Sequence, residues 1–317
     1  MPTQELIQKA AEKLFSQVGL SGDEENRRFN EATDVAYWEN LLPGSGVLQQ
    51  QGLADLEGVS FSEEQQLEAS ASLAKRGYFQ TRPLLADEVT TRMCACVDML
   101  RSAGWPAVFT YIYDDFWAVW RTPSVARFLR ANLGEGYVQT SGVWTYRVDP
   151  QKQGSGWGPH VDSRDDAERL SIWIPLTEAT ARNGCMFVIP LDRVPLGLPT
   201  SFLDWTSIPV EKLSTLLHGV TPLPALPGSI LGWNNRLIHW GGRASEPADG
   251  VRVSIAAEFL PVVTRPGKSE LPLVGVEVPD FSTRIRIIAQ AILAYEKFEP
   301  LMRRYRGLAT RLAGWAS

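Results

Sequence analysis

The sequence predicts a mainly β protein with flanking helices, and three observations support this fold class. Short apolar or alternating runs, separated by Pro, Gly, Asn and Asp clusters, dominate residues 137 to 262. Before them, helical spacing predicts one helix capped by Ser62 and another with Asp87 and Glu88 in its first turn. After residue 280 helical spacing returns, and Pro300 is expected to kink or split this tail.

The strand predictions rest on short segments with β-type patterning. "VQTSGVWTYRV" alternates polar and apolar positions, and an alternating strand places every second side chain on one face. The other predicted strands are "LSIWIPL", "CMFVIP", "GSILGW", "LIHW" and "VRVSIAAEFLP".

We expect a single domain over residues 1–317, because large β folds often reach this length as one unit. It would comprise a helical and irregular N-terminal extension (1–60), a core with supporting helices (78–262) and C-terminal helices (280–315). The first helix would end at Gly19. Apolar residues at helical spacing, such as Ile285 and Ile288, favour packing of the last helices on the core over packing on another subunit. A monomer and a homodimer both remain open.

Composition excludes several classes of partner. Hydrophobic residues make up 44% of the chain and charged residues 21%, which is typical of a folded globular protein. The formal net charge of −5 argues against a nucleic-acid partner. The absence of a long apolar run or a signal peptide argues against a membrane partner and predicts a cytoplasmic protein. Three cysteines, Cys94, Cys96 and Cys185, are consistent with reduced thiols.

The chain has three histidines, and two of them suggest a metal site. His160 and Asp162 lie two residues apart, so an extended segment would project both to one side. With His239 from a later strand they would form the two-histidine, one-carboxylate set of non-haem iron enzymes. Taken alone, the His-x-Asp pair is better explained by a loop histidine hydrogen-bonded to a nearby carboxylate. His218, at the end of a short helix, is expected to be a capping residue.

A possible anion site accompanies these ligands. Arg252 and Ser254 alternate onto one side of their strand, where a guanidinium and a hydroxyl could bind the far carboxylate of a dicarboxylic acid. The alternative for Arg252 is a surface salt bridge.

Two longer stretches resemble the phytanoyl-CoA dioxygenase family. They are "LSIWIPLTEATARNGCMFVIP" and "PGSILGWNNRLIHWGG", the latter followed by "RVS", and the resemblance covers about residues 78 to 262. It implies a double-stranded β-helix, a jelly roll of the cupin-like type, that binds Fe(II) and 2-oxoglutarate. It also implies that His160, Asp162 and His239 are the metal ligands and catalytic residues, and that Arg252 and Ser254 bind 2-oxoglutarate. Trp173 matches a strand tryptophan near this co-substrate, although a purely core role is equally open.

The activity implied is oxidation of a small organic molecule, with 2-oxoglutarate and O2 converted to succinate and CO2. Hydroxylation is the first expectation, because halogenating relatives replace the carboxylate that Asp162 provides. Desaturation, cyclisation and epoxidation remain alternatives, and the substrate is expected to belong to natural-product or amino-acid-derived metabolism. The chain departs from the family at "IPLDR", where members commonly have Pro-Gly-Ser-His, and this departure leaves the substrate open. Rival interpretations are a non-catalytic β-helix protein that binds a metal or ligand, and a zinc hydrolase.

Residues around the predicted metal loop suggest a pocket only weakly. Trp144, Tyr146 and Trp233 could line an apolar site, but core packing is favoured for each. The basic residues Lys152, Arg164 and Arg169 are expected to lie on the solvated surface. We expect the glycines of "GSGWGP" to let the backbone pass close to the metal.

Overall fold

The computed structural model describes residues 19–47, 56–152, 156–162, 168–195, 208–245, 250–297 and 299–315. The helix predicted to end at Gly19 therefore lies outside the described residues, as do residues 48–55 of the N-terminal extension. Helices flank a strand-rich middle, as the sequence predicts. The described helices nevertheless contain more residues than the strands, so the fold class is mixed α and β, with antiparallel sheets.

The helices begin and end at the predicted signals. Ser62 and Gln65 form a capping box, and Gly77 ends the same helix in the left-handed conformation (φ 81°). The C-terminal tail is interrupted between Tyr295 and Pro300, as Pro300 predicts. The helices are α1 (Gly22–Ala32), α2 (Val35–Leu41), α3 (Glu63–Arg76), α4 (Asp87–Ser102), α5 (Asp115–Ala118), α6 (Pro123–Leu133), α7 (Val210–Gly219), α8 (Phe281–Tyr295), α9 (Pro300–Arg304) and α10 (Arg306–Ala313).

The strands form a five-stranded and a three-stranded sheet, each with antiparallel pairing throughout. The larger sheet has the order β1-β6-β3-β8-β2 and the smaller the order β5-β4-β7. The strands are β1 (Tyr78–Pro83), β2 (Val138–Val148), β3 (Leu170–Pro175), β4 (Met186–Ile189), β5 (Thr221–Leu223), β6 (Ser229–Asn234), β7 (Ile238–Gly241) and β8 (Arg252–Leu260).

Two strands, β1 and β5, were not among the predicted ones. Each lies at the edge of its sheet. β1 carries Gln, Thr, Arg and Pro, and β5 has three residues including Pro222. Edge strands tolerate polar residues and proline because one side of the backbone needs no ladder partner, so their sequence signal is weak.

One face of the larger sheet carries Arg252 and Ser254, the pair predicted to bind an anion, and we call it the site face. Alternation on β8 places Arg252, Ser254, Ala256 and Glu258 on this face. Register aligns Ala256 with Trp144 on β2 and with Trp173 on β3, and it aligns Glu258 with Ser171. The sheet therefore arranges these side chains in rows across neighbouring strands.

The last helices pack within the chain. Helix α8 contacts β2 and the short 3₁₀ helix Ala107–Ile112, and Ile285, Ile288 and Ile292 are fully buried. Burying one such side chain contributes about 1.5–3 kcal/mol, so this helix stabilises the sheet it covers. Among the described helices, none combines the length and the apolar character needed to cross a lipid bilayer.

Candidate metal centre

The backbones of His160 and His239 are paired directly. The amide of each residue donates to the carbonyl of the other, with N–O distances of 3.0 Å in both directions. This isolated antiparallel bridge joins the loop after β2 to strand β7. It places the two imidazole rings 4.3 Å apart, measured between centroids.

Close backbone contact around Gly156 makes this bridge possible. A Cβ atom at Gly156 would lie 2.4 Å from Cα of Gly241, so only glycine fits there. This agrees with the prediction that glycines of "GSGWGP" let the backbone approach the site. His239 itself is the second residue of β7 rather than the end of a longer strand, because a turn at residues 234–237 separates β6 from β7.

Three potential metal donors converge. Oδ1 of Asp162 lies 3.3 Å from Nε2 of His239 and 3.6 Å from Nε2 of His160. One ligand atom from each residue can be chosen so that all lie within 4.8 Å of one another. Nδ1 of His160 lies 2.8 Å from the Gly158 carbonyl, and Nδ1 of His239 lies 3.0 Å from that of Leu237. Since a carbonyl only accepts, each Nδ1 carries the proton and each Nε2 lone pair is free for a metal.

The second carboxylate oxygen of Asp162 is held by two donors. Ser171 Oγ donates to Oδ2 at 2.6 Å, and Trp233 Nε1 donates to the same atom at 2.8 Å. Both donors come from the larger sheet, whereas His239 belongs to the smaller one. Sequence reasoning missed Ser171 and favoured a core role for Trp233. Strand alternation could not relate Trp233 to His239, because a turn separates β6 from β7 and the two strands belong to different sheets.

Electrostatics favour the protonation states that a metal requires. Burial lowers the pKa of His160, and the neighbouring His239 lowers it further. Burial by itself would raise the pKa of Asp162. The adjacent imidazoles of His239 and His160 and the hydrogen bond from Ser171 outweigh that effect and hold the pKa of Asp162 well below its usual range. At neutral pH His160 is therefore a neutral imidazole and Asp162 a carboxylate.

Arg252 is a buried cation without a carboxylate partner among the described residues. Its side chain donates from Nε to the Gly184 carbonyl at 3.1 Å and from Nη1 to Ser254 Oγ at 2.6 Å. The guanidinium lies 5.6 Å from the ring of Tyr146 and 5.7 Å from that of Trp173. Burial lowers the pKa of Arg252 to about 10, so the group remains charged at neutral pH. A buried, unpaired guanidinium favours binding of an anion.

The other sequence predictions have mixed outcomes. His218 lies in the last turn of α7, as expected, and is not part of the His160, Asp162 and His239 group. The prediction for Arg169 was wrong: its side chain is only 4% exposed and forms ion pairs with Glu270 and Glu258. A guanidinium between two carboxylates gains enough charge pairing to be buried. Arg164 and the side chain of Lys152 lie outside the described residues.

Three aromatic rings pack together, and one of them lies beside His160. Trp144 is 4.4 Å from Trp157 and 4.7 Å from Tyr295, and Trp157 is 5.2 Å from Tyr295, all between centroids. The Trp157 ring is 5.7 Å from the His160 ring. We call Trp144, Trp157 and Tyr295 the aromatic cluster. Tyr295 belongs to α8, and no sequence feature pointed to it as a neighbour of the metal centre.

Residues 110–247 match the family model described as phytanoyl-CoA dioxygenase (PhyH). This stretch includes His160, Asp162 and His239 and ends before Arg252. No curated protein matches the chain.

Similar solved structures support the fold at low sequence identity. The non-heme monooxygenase ThoJ in its nickel complex is 14% identical, with a TM-score of 0.52 over 76% of this chain and 99% of ThoJ. The alpha ketoglutarate dependent epimerase SnoN from nogalamycin biosynthesis is 14% identical, with a TM-score of 0.50 over 63% of this chain and 82% of SnoN. A second SnoN structure, in complex with Fe3+, alpha ketoglutarate and nogalamycin RO, covers 65% of this chain and 88% of SnoN at the same identity and TM-score. Together with the family match, these structures indicate a jelly-roll-like fold.

The donor chemistry fits the cofactors of this family. Two imidazole nitrogens and one carboxylate oxygen suit a ferrous ion, and the buried guanidinium suits 2-oxoglutarate. Fe(II) and 2-oxoglutarate, used with O2, are thus the cofactors that the family and the site have in common. The three donor residues thus lie within the stretch, residues 110–247, that is similar to the PhyH family.

Proposed function

We propose that this protein is an oxygenase dependent on Fe(II) and 2-oxoglutarate that oxidises a small organic molecule. The reaction would convert 2-oxoglutarate and O2 to succinate and CO2. One observation carries the proposal: His160, Asp162 and His239 converge with free Nε2 atoms and a free Oδ1 atom facing one another.

In this proposal each residue has a defined task. His160, Asp162 and His239 hold the metal, which supplies the redox centre for 2-oxoglutarate decarboxylation and substrate oxidation when bound. Arg252 and Ser254 bind the far carboxylate of 2-oxoglutarate, which would give the buried guanidinium an anionic partner. Trp173 flanks the guanidinium and limits the access of water to it.

The finer reaction assignment is also a proposal. Hydroxylation is the outcome we favour, since Asp162 retains the carboxylate that halogenating relatives lack. Desaturation, cyclisation and epoxidation are the alternatives, and a product mass increased by one oxygen or decreased by two hydrogens separates them.

We further propose that the two antiparallel sheets form a double-stranded β-helix within one domain. The substrate would belong to natural-product or amino-acid-derived metabolism, a proposal supported by the fold similarity to a nogalamycin-biosynthesis enzyme.

Anaerobic addition of Fe(II) and 2-oxoglutarate to metal-free protein tests the proposal. We expect a weak visible charge-transfer band that is absent in His160→Ala. His218→Ala is the matched control, since His218 is exposed on α7 and lies outside the donor group. A well-folded native protein without the band would refute the proposal.

Succinate formation on admission of O2 is the second measurement. A protein that shows the band but forms no succinate with any tested compound would be a non-catalytic binding protein.

A further inference from the structure

Strand β8 places opposite chemical groups at its two ends. Arg252 and Ser254 lie at one end of the site face, and Glu258 lies at the other, with the small Ala256 between them. Six residues separate Arg252 from Glu258, which corresponds to roughly 20 Å of strand. The proposed 2-oxoglutarate end and the Glu258 end are therefore distinct parts of the site.

Glu258 lies beside the metal-binding carboxylate. Its cross-strand neighbour on β3 is Ser171, which donates to Asp162. Ser171 is in turn paired with Trp233, the other donor to Asp162. A ligand at Glu258 would thus lie next to the metal centre, away from Arg252.

One oxygen of Glu258 is available for a ligand. Oε2 accepts a hydrogen bond from Thr140 Oγ1 at 3.1 Å and lies 3.8 Å from Nη1 of Arg169. Oε1 makes no hydrogen bond with any described residue, and the side chain is 18% exposed. Arg169 is closer to Glu270 than to Glu258. Two carboxylates thus share one guanidinium. Burial and the nearby charge of Asp162 raise the pKa of Glu258 to about 7, so a cation placed at the available oxygen would favour the ionised form.

The aromatic cluster lies within the electrostatic range of this carboxylate. Burial raises the pKa of the Tyr295 hydroxyl, and the charges of Glu258 and Asp162 raise it further. Trp144 and Trp157 contact Tyr295, and all three rings are half-buried. Faces of aromatic rings attract cations, and a carboxylate beside them adds a charged acceptor.

We propose that Glu258 and the aromatic cluster bind a basic amine of the substrate and position the adjacent carbon skeleton at the metal. The proposal rests on the proposed function, because it assigns a substrate class to the same site. A protonated amine would donate a hydrogen bond to Oε1. It would also add a second positive charge to the two carboxylates, Glu258 and Glu270, that share Arg169.

The test uses the full chain loaded with Fe(II) and 2-oxoglutarate. Aromatic and alicyclic amines are compared with alcohols of the same skeleton. Binding is measured anaerobically by tryptophan fluorescence, and turnover is measured by stimulated succinate formation. We expect at least one amine to bind about tenfold or more tightly than its alcohol, and Glu258→Gln to remove most of that preference. Glu277→Gln, a substitution of an exposed glutamate, should leave the preference unchanged.

The outcomes separate this inference from the proposed function. The charge-transfer band and the unfolding temperature are recorded first for each variant, so a lost metal site or fold is detected independently. With the band intact, a panel in which no amine binds better than its alcohol overturns the proposal. A preference for amines that Glu258→Gln retains in full also overturns it.

Discussion

Trp233 donates its indole N–H to Oδ2 of Asp162 at 2.8 Å, and its ring lies 4.5 Å from the imidazole of His239. One side chain therefore orients the carboxylate ligand and packs against a histidine ligand. Ser171 donates to the same oxygen, so Oδ1 is the atom left facing the two Nε2 atoms.

Trp233→Phe is expected to lower the affinity for Fe(II) by about tenfold to a hundredfold, because outer hydrogen bonds of this kind fix the ligand geometry. Phenylalanine retains a ring against His239 but removes the donor. Competition with a metal-binding dye measures the affinity. Trp240→Phe is the control, since Trp240 stacks on Phe187 instead. Equal affinities for the Trp233 variant and the native protein would show that this hydrogen bond does not matter.

Arg252→Met is expected to weaken 2-oxoglutarate binding by about a hundredfold, since a charge-assisted contact is lost. The metal-free variant should unfold at nearly the native temperature, because the substitution removes a buried cation without a carboxylate partner among the described residues. Titration of 2-oxoglutarate into the metal-loaded protein provides the measurement. Unchanged 2-oxoglutarate affinity would contradict the assignment of the anion site.

Arg284→Met, unlike Arg252→Met, is expected to destabilise the folded protein. Arg284 is 1% exposed and pairs with Asp114 at 2.6 Å, so its loss removes the opposite charge from beside a buried carboxylate. The free energy of unfolding in urea should fall by about 3–5 kcal/mol. Arg303→Met, on the exposed side of α9, should change it little. A small effect at Arg284 would show that its ion pair with Asp114 contributes little to stability.

Gly156→Ala is expected to weaken metal binding, because the added Cβ would meet Cα of Gly241 at 2.4 Å and displace the loop that carries His160. Gly158→Ala is a matched control in the same loop, since no atom lies within 4 Å of its added Cβ. The affinities for Fe(II) of both variants are compared. Equal losses would indicate that loop glycines act only through backbone freedom.

Glu299→Gln is expected to change how stability depends on pH. Burial raises the pKa of Glu299 to about 7 from an ordinary value of 4.5. Ionising Glu299 in the folded protein costs free energy. This cost is absent below pH 4.5 and complete above pH 7, so the free energy of unfolding of the native protein falls as the pH rises between these values. The variant should gain about 2 kcal/mol relative to the native protein between pH 4.5 and 8, after allowance for residual solvent contact.

Urea unfolding of the metal-free proteins at both pH values measures this difference, with Glu277→Gln as the exposed control. A difference that does not grow with pH would show that Glu299 ionises freely.

Local sequence features correctly predicted helix ends and most of the strands. The capping box at Ser62, the glycine end at Gly77 and the strands from β2 to β8 other than β5 follow from nearest neighbours and alternation. The edge strands β1 and β5 escaped prediction because their polar residues and prolines, which an edge position tolerates, give a weak strand signal. The candidate ligands were predictable because few residue types bind iron and the chain has three histidines.

The sequence by itself determined which residues are available for chemistry: His160, Asp162, His239 and Arg252. Only the tertiary structure decided what surrounds them. Ser171 and Trp233 orient Asp162, Arg169 is buried between Glu258 and Glu270, and Tyr295 joins the site from a distant helix. The physical reason is that periodicity fixes the face on which a side chain lies, whereas strand register and helix packing fix its partners.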